Sequence, residues 1–139
     1  MIDVGFPREF LDAYKEKMVP RKGSEKDFIV EVESISELFA IIDSFIVNKV
    51  RLITITCYPE PKGDRLFLEY HFTDGPGVIS LKIQVPDDKK MPSLTPKLPA
   101  AGWAEREIMD LFAVEFEGHP NPARLLIPEH VQRGVYLRS

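Results

Sequence analysis

The apolar positions of this chain switch between a helical and a strand period, and the switches divide it into elements. Pro7 suits a first helical turn, Phe10, Leu11, Tyr14 and Met18 then share a face, and Pro20 and Gly23 end the segment. Phe28, Val30 and Val32 alternate as a strand does. Ser34 and Glu37 have capping-box spacing at the head of a helix whose stripe is Ile35, Leu38, Phe39, Ile42, Phe45 and Ile46, ending near Asn48. Three further alternating runs follow, around Ile53, Ile55 and Cys57, around Leu66, Leu68, Tyr70 and Phe72, and around Ile79, Leu81, Ile83 and Val85. The connections PEPKGD and TDGPG carry turn residues, so the three strands are expected to form an antiparallel meander, with DGPG as a hairpin turn and not a phosphate cradle. One apolar face per strand requires helices on one side of the sheet. The fold class expected is therefore α+β, two-layered and mostly antiparallel. The helix between the first two sheet strands can make that pair parallel, which would give a mixed sheet. Ile53, Ile55, Leu68, Tyr70, Leu81 and Ile83 are expected beneath the helix at 34–48.

From Pro86 to Pro99 periodicity stops, and four prolines in fourteen residues predict an extended linker. The stretch it leads to, Trp103 to Pro128, organises the rest of the chain. Ala104, Ile108, Leu111 and Phe112 fall at helical spacing, with Arg106, Asp110 and Glu107 on the other side. Arg before Asp is the poorer order for an i,i+4 pair, and Asp110 lies near the negative end of the helix. Helix stability therefore explains these charges badly; they form either a solvated face or contacts to other elements or partners. Pro120, Pro122 and Pro128 predict an extended, proline-rich arm over 119–139, following an α+β domain over 1–118. Leu125, Leu126 and Ile127 cannot all rest on one surface in such an arm, so a docking role is expected, with Arg124 fixing its register on a partner carboxylate.

Net charge is −4, which argues against a general nucleic-acid binder. No apolar run is long enough to span a membrane, and the single cysteine, Cys57, cannot form an internal disulfide. Metal-ligand spacings, GxGxxG and Walker motifs are missing. Cys57 reads as a buried inert thiol, and His71, beside Glu69, as a surface residue. His119 either orients its turn or meets a partner. Glu105, Glu107, Asp110 and His119 are the groups that a small stand-alone acid–base enzyme would have to use.

Within this stretch, EREIMDLFAVEFEGHPNPARLLIPE resembles the signature of the 30 kDa subunit family of NADH-quinone oxidoreductase (complex I), which also occurs in complex-I-like membrane-bound [NiFe] hydrogenases. Glu105, Arg106, Glu107, Asp110, Leu111, Phe112, Phe116, Gly118, His119, Pro120, Arg124, Leu125, Leu126, Pro128 and Glu129 match the pattern. Ala113 stands where the family has glycine, and Pro122 and Ala123 replace a Leu-Arg pair. The resemblance implies a non-catalytic peripheral-arm subunit that packs on a hydrogenase-type large subunit and holds no cofactor. It implies Fe–S clusters, or a NiFe centre, in partner subunits: an Fe–S small subunit, a ferredoxin-like subunit and, indirectly, antiporter-like membrane subunits. Its place would be peripheral, on the cytoplasmic side of the membrane. The end of the chain at Ser139 and the altered 122–123 pair point to an ion-translocating complex of the membrane-bound hydrogenase or sulfane reductase kind, with a respiratory NADH-quinone oxidoreductase as the alternative host.

Overall fold

The computed structural model describes residues 5–121. Its elements run α1 (Arg8–Tyr14), β1 (Val19–Pro20), β2 (Asp27–Glu31), α2 (Ile35–Val47), β3 (Arg51–Pro59), β4 (Leu66–Thr73), β5 (Val78–Gln84), β6 (Lys90–Pro92), α3 (Gly102–Phe112) and β7 (Glu115–Glu117). Strands β1 to β5 form one sheet in the order β1-β2-β5-β4-β3, and β6 and β7 form a second. The α+β class and the mostly antiparallel sheet are as the sequence predicts. The chain gathers into two compact units, Met1–Thr54 with Leu68–Gln84 and Ile55–Phe67 with Val85–Ser139.

In the first unit, α2 starts where the capping residues place it. Ser34 Oγ accepts the Glu37 N–H at 3.1 Å, and the Glu37 carboxylate reaches back to the Glu33 N–H at 2.9 Å. Leu38, Ile41, Ile42 and Phe45 form its buried face. Phe45 centres an aromatic cluster, edge-on to Phe6, Phe10 and Phe72 with ring centroids 4.9–5.4 Å apart. The TDGPG connection is the expected hairpin turn: Asp74 Oδ1 accepts the Gly77 N–H, and the Thr73 hydroxyl donates to the Gly77 carbonyl.

The sheet is mixed, but its parallel pair is not the one expected. β2 runs parallel to β5, with Val30 opposite Leu81, and not to β3. After α2 the chain enters at the far edge as β3, and two hairpins walk it back until β5 fills the place beside β2. Ile53 also departs from expectation. Ile55, Leu68, Tyr70, Leu81 and Ile83 are buried, whereas Ile53 is 54% exposed. It lies on the edge strand, and α2 packs on β5, two strands further in. The other face of the sheet is less solvated than alternation suggests. Glu69 is buried and paired with Arg21 at 2.7 Å, and the half-buried His71 places Nδ1 2.6 Å from the buried Ser80 hydroxyl.

The second unit corrects the linker expected at 86–99. β6 lies inside it and pairs in parallel with β7, Met91 opposite Phe116. A parallel pair needs a crossover, and α3 supplies it, so β6, α3 and β7 make a small βαβ unit. Met91, Leu94, Ala104, Ile108, Met109 and Phe116 are all buried. α3 ends at Ala113, which adopts the left-handed conformation (φ 59°, ψ 28°) while its N–H bonds the Met109 carbonyl. That is a helix C-terminus suited to glycine, and here a side chain occupies it.

Candidate functional site

The buried arc of α3 is wider than its apolar stripe and takes in two carboxylates. Glu105 and Asp110 are both 0% exposed, so the solvated-face reading fails for them; Arg106 and Glu107 are half-buried. Glu105 follows the buried Ala104 and precedes Ile108 by one turn, which aims its side chain at the segment just after β6. Ser93 Oγ donates to Oε1 at 2.6 Å, Thr95 Oγ1 to Oε1 at 2.7 Å, and the Leu94 N–H to Oε2 at 2.6 Å. The Ser93 hydroxyl in turn accepts the Thr95 N–H at 3.2 Å. One buried carboxylate thus satisfies three donors that no regular strand or helix would pair.

His119 closes the cluster from the other end of the βαβ unit. Gly118, with φ 84°, turns the chain so that the imidazole returns to the start of α3. Its Nδ1 accepts the Asn121 N–H at 2.9 Å, which puts the ring proton on Nε2, 3.2 Å from the Gly102 carbonyl. Nε2 also lies 3.7 Å from Glu105 Oε1, and the imidazole is 2% exposed. Two of the four groups that sequence offers for acid–base work, Glu105 and His119, therefore face each other in the interior. Each is engaged by the chain's own donors and acceptors, where a general acid or base must reach a substrate.

Of the other expected site residues, Pro120 is exposed, and Arg124, Leu125, Leu126 and Ile127 lie outside the described residues. Burial pushes the Cys57 thiol up to about 12, in keeping with an inert side chain. Burial also holds His71 below the usual imidazole range. Sequence reasoning missed Ser93, Thr95 and the Gly102 carbonyl, because proline-rich composition disguised a folded segment as a linker. The Ser-Leu-Thr triplet ahead of a helix was the available signal. Among the described residues, no group of three or more His, Cys, Asp or Glu is placed to hold a metal ion.

Comparison with known proteins gives a consistent picture. The family described as the 30 kDa subunit of respiratory-chain NADH dehydrogenase matches residues 28–138. An NADH-quinone oxidoreductase subunit of Moorella thermoacetica is 37% identical over 81 residues, covering 56% of this chain and 55% of that protein. The chain spans about half, or less, of the length of the curated relatives it matches. Among solved structures, a chain of the archaeal membrane-bound sulfane sulfur reductase superposes with a TM-score of 0.74 at 22% identity, covering 94% of this chain and 82% of that one. A trypsin-resistant fragment of Nqo5 gives 0.65 at 20% identity, covering 82% and 96%. At such identities the likeness is one of fold.

Proposed function

Because the chain belongs to the family of the 30 kDa subunit of respiratory-chain NADH dehydrogenase, we propose that it is a non-catalytic subunit of a membrane-associated, complex-I-like oxidoreductase. In this reading it packs on a hydrogenase-type large subunit and supports its assembly. Electrons pass through Fe–S clusters, or a NiFe centre, in neighbouring small and ferredoxin-like subunits, and antiporter-like subunits move ions in the membrane. The chain itself carries no cofactor and sits peripherally on the cytoplasmic side; among the described residues no helix is long and apolar enough to cross a membrane. The observation that carries the reading is the Glu105–His119 cluster. Glu105 and His119, two of the titratable groups of the family stretch, are engaged by bonds within this chain, which supports a structural role for them and leaves the stretch to present a surface. Within the family we favour a host of the membrane-bound hydrogenase or sulfane reductase kind, because Pro122 and Ala123 replace the Leu-Arg pair of the family pattern.

The test is purification of the tagged chain from its native host, with mass spectrometry of what accompanies it and metal analysis of the chain alone. Co-purification with a hydrogenase-type large subunit, and a colourless isolated chain, are expected. Stoichiometric iron, zinc or flavin in the isolated chain, or recovery without any oxidoreductase subunit, would overturn the proposal.

A further inference from the structure

Trp103, the only tryptophan of the chain, is 62% exposed, and Pro99 and Ala100, one turn back, are exposed as well. Arg106 and Glu107, both half-buried, stand one turn forward and bound this apolar patch with one charge of each sign. The patch lies close to where the described residues end. His119 Nδ1 accepts the Asn121 N–H, and Nε2 lies 3.2 Å from the Gly102 carbonyl, part of the peptide group that joins Gly102 to Trp103. One imidazole therefore holds the exit of the chain within about 9 Å of the peptide group that carries the tryptophan. Both belong to the second unit.

We propose that the occupant of this patch is the chain's own arm: Leu125 and Ile127, which lie outside the described residues, pack on Trp103 and the Pro99–Ala100 surface, with Leu126 turned away. Reach allows it. Pro122, Ala123 and Arg124 alone separate Asn121 from Leu125, and extended chain of that length spans up to about 14 Å, enough to bring Leu125 onto the indole. Pro122 biases Asn121 toward extended backbone, and a strand-like path puts residues 125 and 127 on one side and 124 and 126 on the other. Two branched apolar side chains on the patch bury more area than Leu126 alone would. Arg124 and Leu126 are then left on the outer side for a partner. The short tether gives Leu125 and Ile127 a high effective concentration at the indole, an advantage that a separate molecule lacks. The opposite charges of Arg106 and Glu107 offset each other at the border, so the patch selects a neutral apolar run over an anionic or a cationic surface. The contact fixes the direction in which the arm leaves the βαβ unit, and it concerns this chain alone, whatever the chain assembles with.

The sample is the full-length chain in isolation, whose single tryptophan makes the indole resonances unambiguous. With methyl-labelled leucine and isoleucine, nuclear Overhauser contacts are expected from the indole protons to the methyls of Leu125 and Ile127, and none to Leu126. Acrylamide quenching of Trp103 should rise about twofold in the double variant Leu125→Ser/Ile127→Ser, as the indole returns to the 62% exposure it has on the helix. Leu126→Ser should leave quenching unchanged. An indole without contacts to residues 125 and 127, contacts to Leu126 in their place, or quenching indifferent to the double variant would each overturn the proposal. So would cover that fades on dilution, the mark of a second copy, or that forms only when a partner subunit or a lipid vesicle is added. Circular dichroism checks that the double variant stays folded; should it not, the contacts of the wild-type chain decide. Failure here leaves the assembly reading standing, because no partner is present in the sample.

Discussion

Removing the Glu105 carboxylate should be among the most damaging single changes in the second unit. Glu105→Ala strands the buried Leu94 N–H and removes the shared acceptor of the Ser93 and Thr95 hydroxyls. A buried donor left unsatisfied costs about 1–3 kcal/mol. The two hydroxyls can rotate toward other acceptors, so the full penalty applies chiefly to the amide and only partly to them. With the lost packing of a fully buried side chain, the expected cost is about 3–5 kcal/mol. Glu105→Gln separates charge from shape. Its amide oxygen can keep the Leu94 N–H while its NH2 donates to the hydroxyls, which accept as readily as they donate. That variant loses only the charge-assisted share of three bonds, offset by the relief of burying a neutral group, for a net cost of roughly 1–2 kcal/mol. Urea denaturation followed by far-ultraviolet circular dichroism is the assay, since the exposed Trp103 is a poor reporter of folding. At a slope of about 2 kcal/mol per molar urea, the alanine variant should shift the midpoint by roughly 1.5–2.5 M and the glutamine variant by under about 1 M. An alanine variant within about 0.5 kcal/mol of wild type, typical of a harmless surface change, would refute the reasoning.

Ala113→Gly restores the residue that a left-handed helix terminus prefers; relief of about 1–2 kcal/mol, less the extra unfolded-state entropy of glycine, should leave a gain of about 0.5–1 kcal/mol in thermal or urea melts. Leu68→Ala should cost about 2–5 kcal/mol, but Ile53→Ala at the exposed sheet edge under about 1 kcal/mol; equal losses would mean that the edge is covered. The Tyr14 hydroxyl donates to Glu37 Oε2 at 2.5 Å, which holds that carboxyl below its usual range, while burial and the same bond push Tyr14 up to about 12. The folded form favours ionised Glu37, so its contribution is present above the unfolded value and is lost as pH falls through the depressed one. It also favours neutral Tyr14, whose contribution is present below about 10 and lost as pH rises toward about 12. Melting temperatures of wild type and Tyr14→Phe across pH should therefore differ most near neutrality and converge at both extremes; a constant gap would argue against the linkage.

Sequence by itself determined what depends on neighbours along the chain. The start of α2 follows from Ser34 and Glu37, three residues apart, and the β4–β5 turn follows from Thr73 and Asp74 bonding to Gly77. Periodicity named most of the core, because a side chain's face in a helix or strand is fixed by local geometry. The family stretch was legible too, since it is a linear pattern. Only the tertiary structure decided which strand lies beside β2, because β3, β4 and β5 alternate alike and two hairpins carry the chain back across the sheet. It alone decided that Ile53 sits at an edge, where alternation names a face but cannot say whether anything covers it. It decided, too, that 86–99 is folded: a strand of three residues, Lys90–Pro92, is too short for periodicity to register and exists through its pairing with β7. The burial of Glu105 belongs to the same class. A glutamate on a helix looks solvated until the segment folding over it supplies three donors, and those donors come from residues ten to twelve positions away.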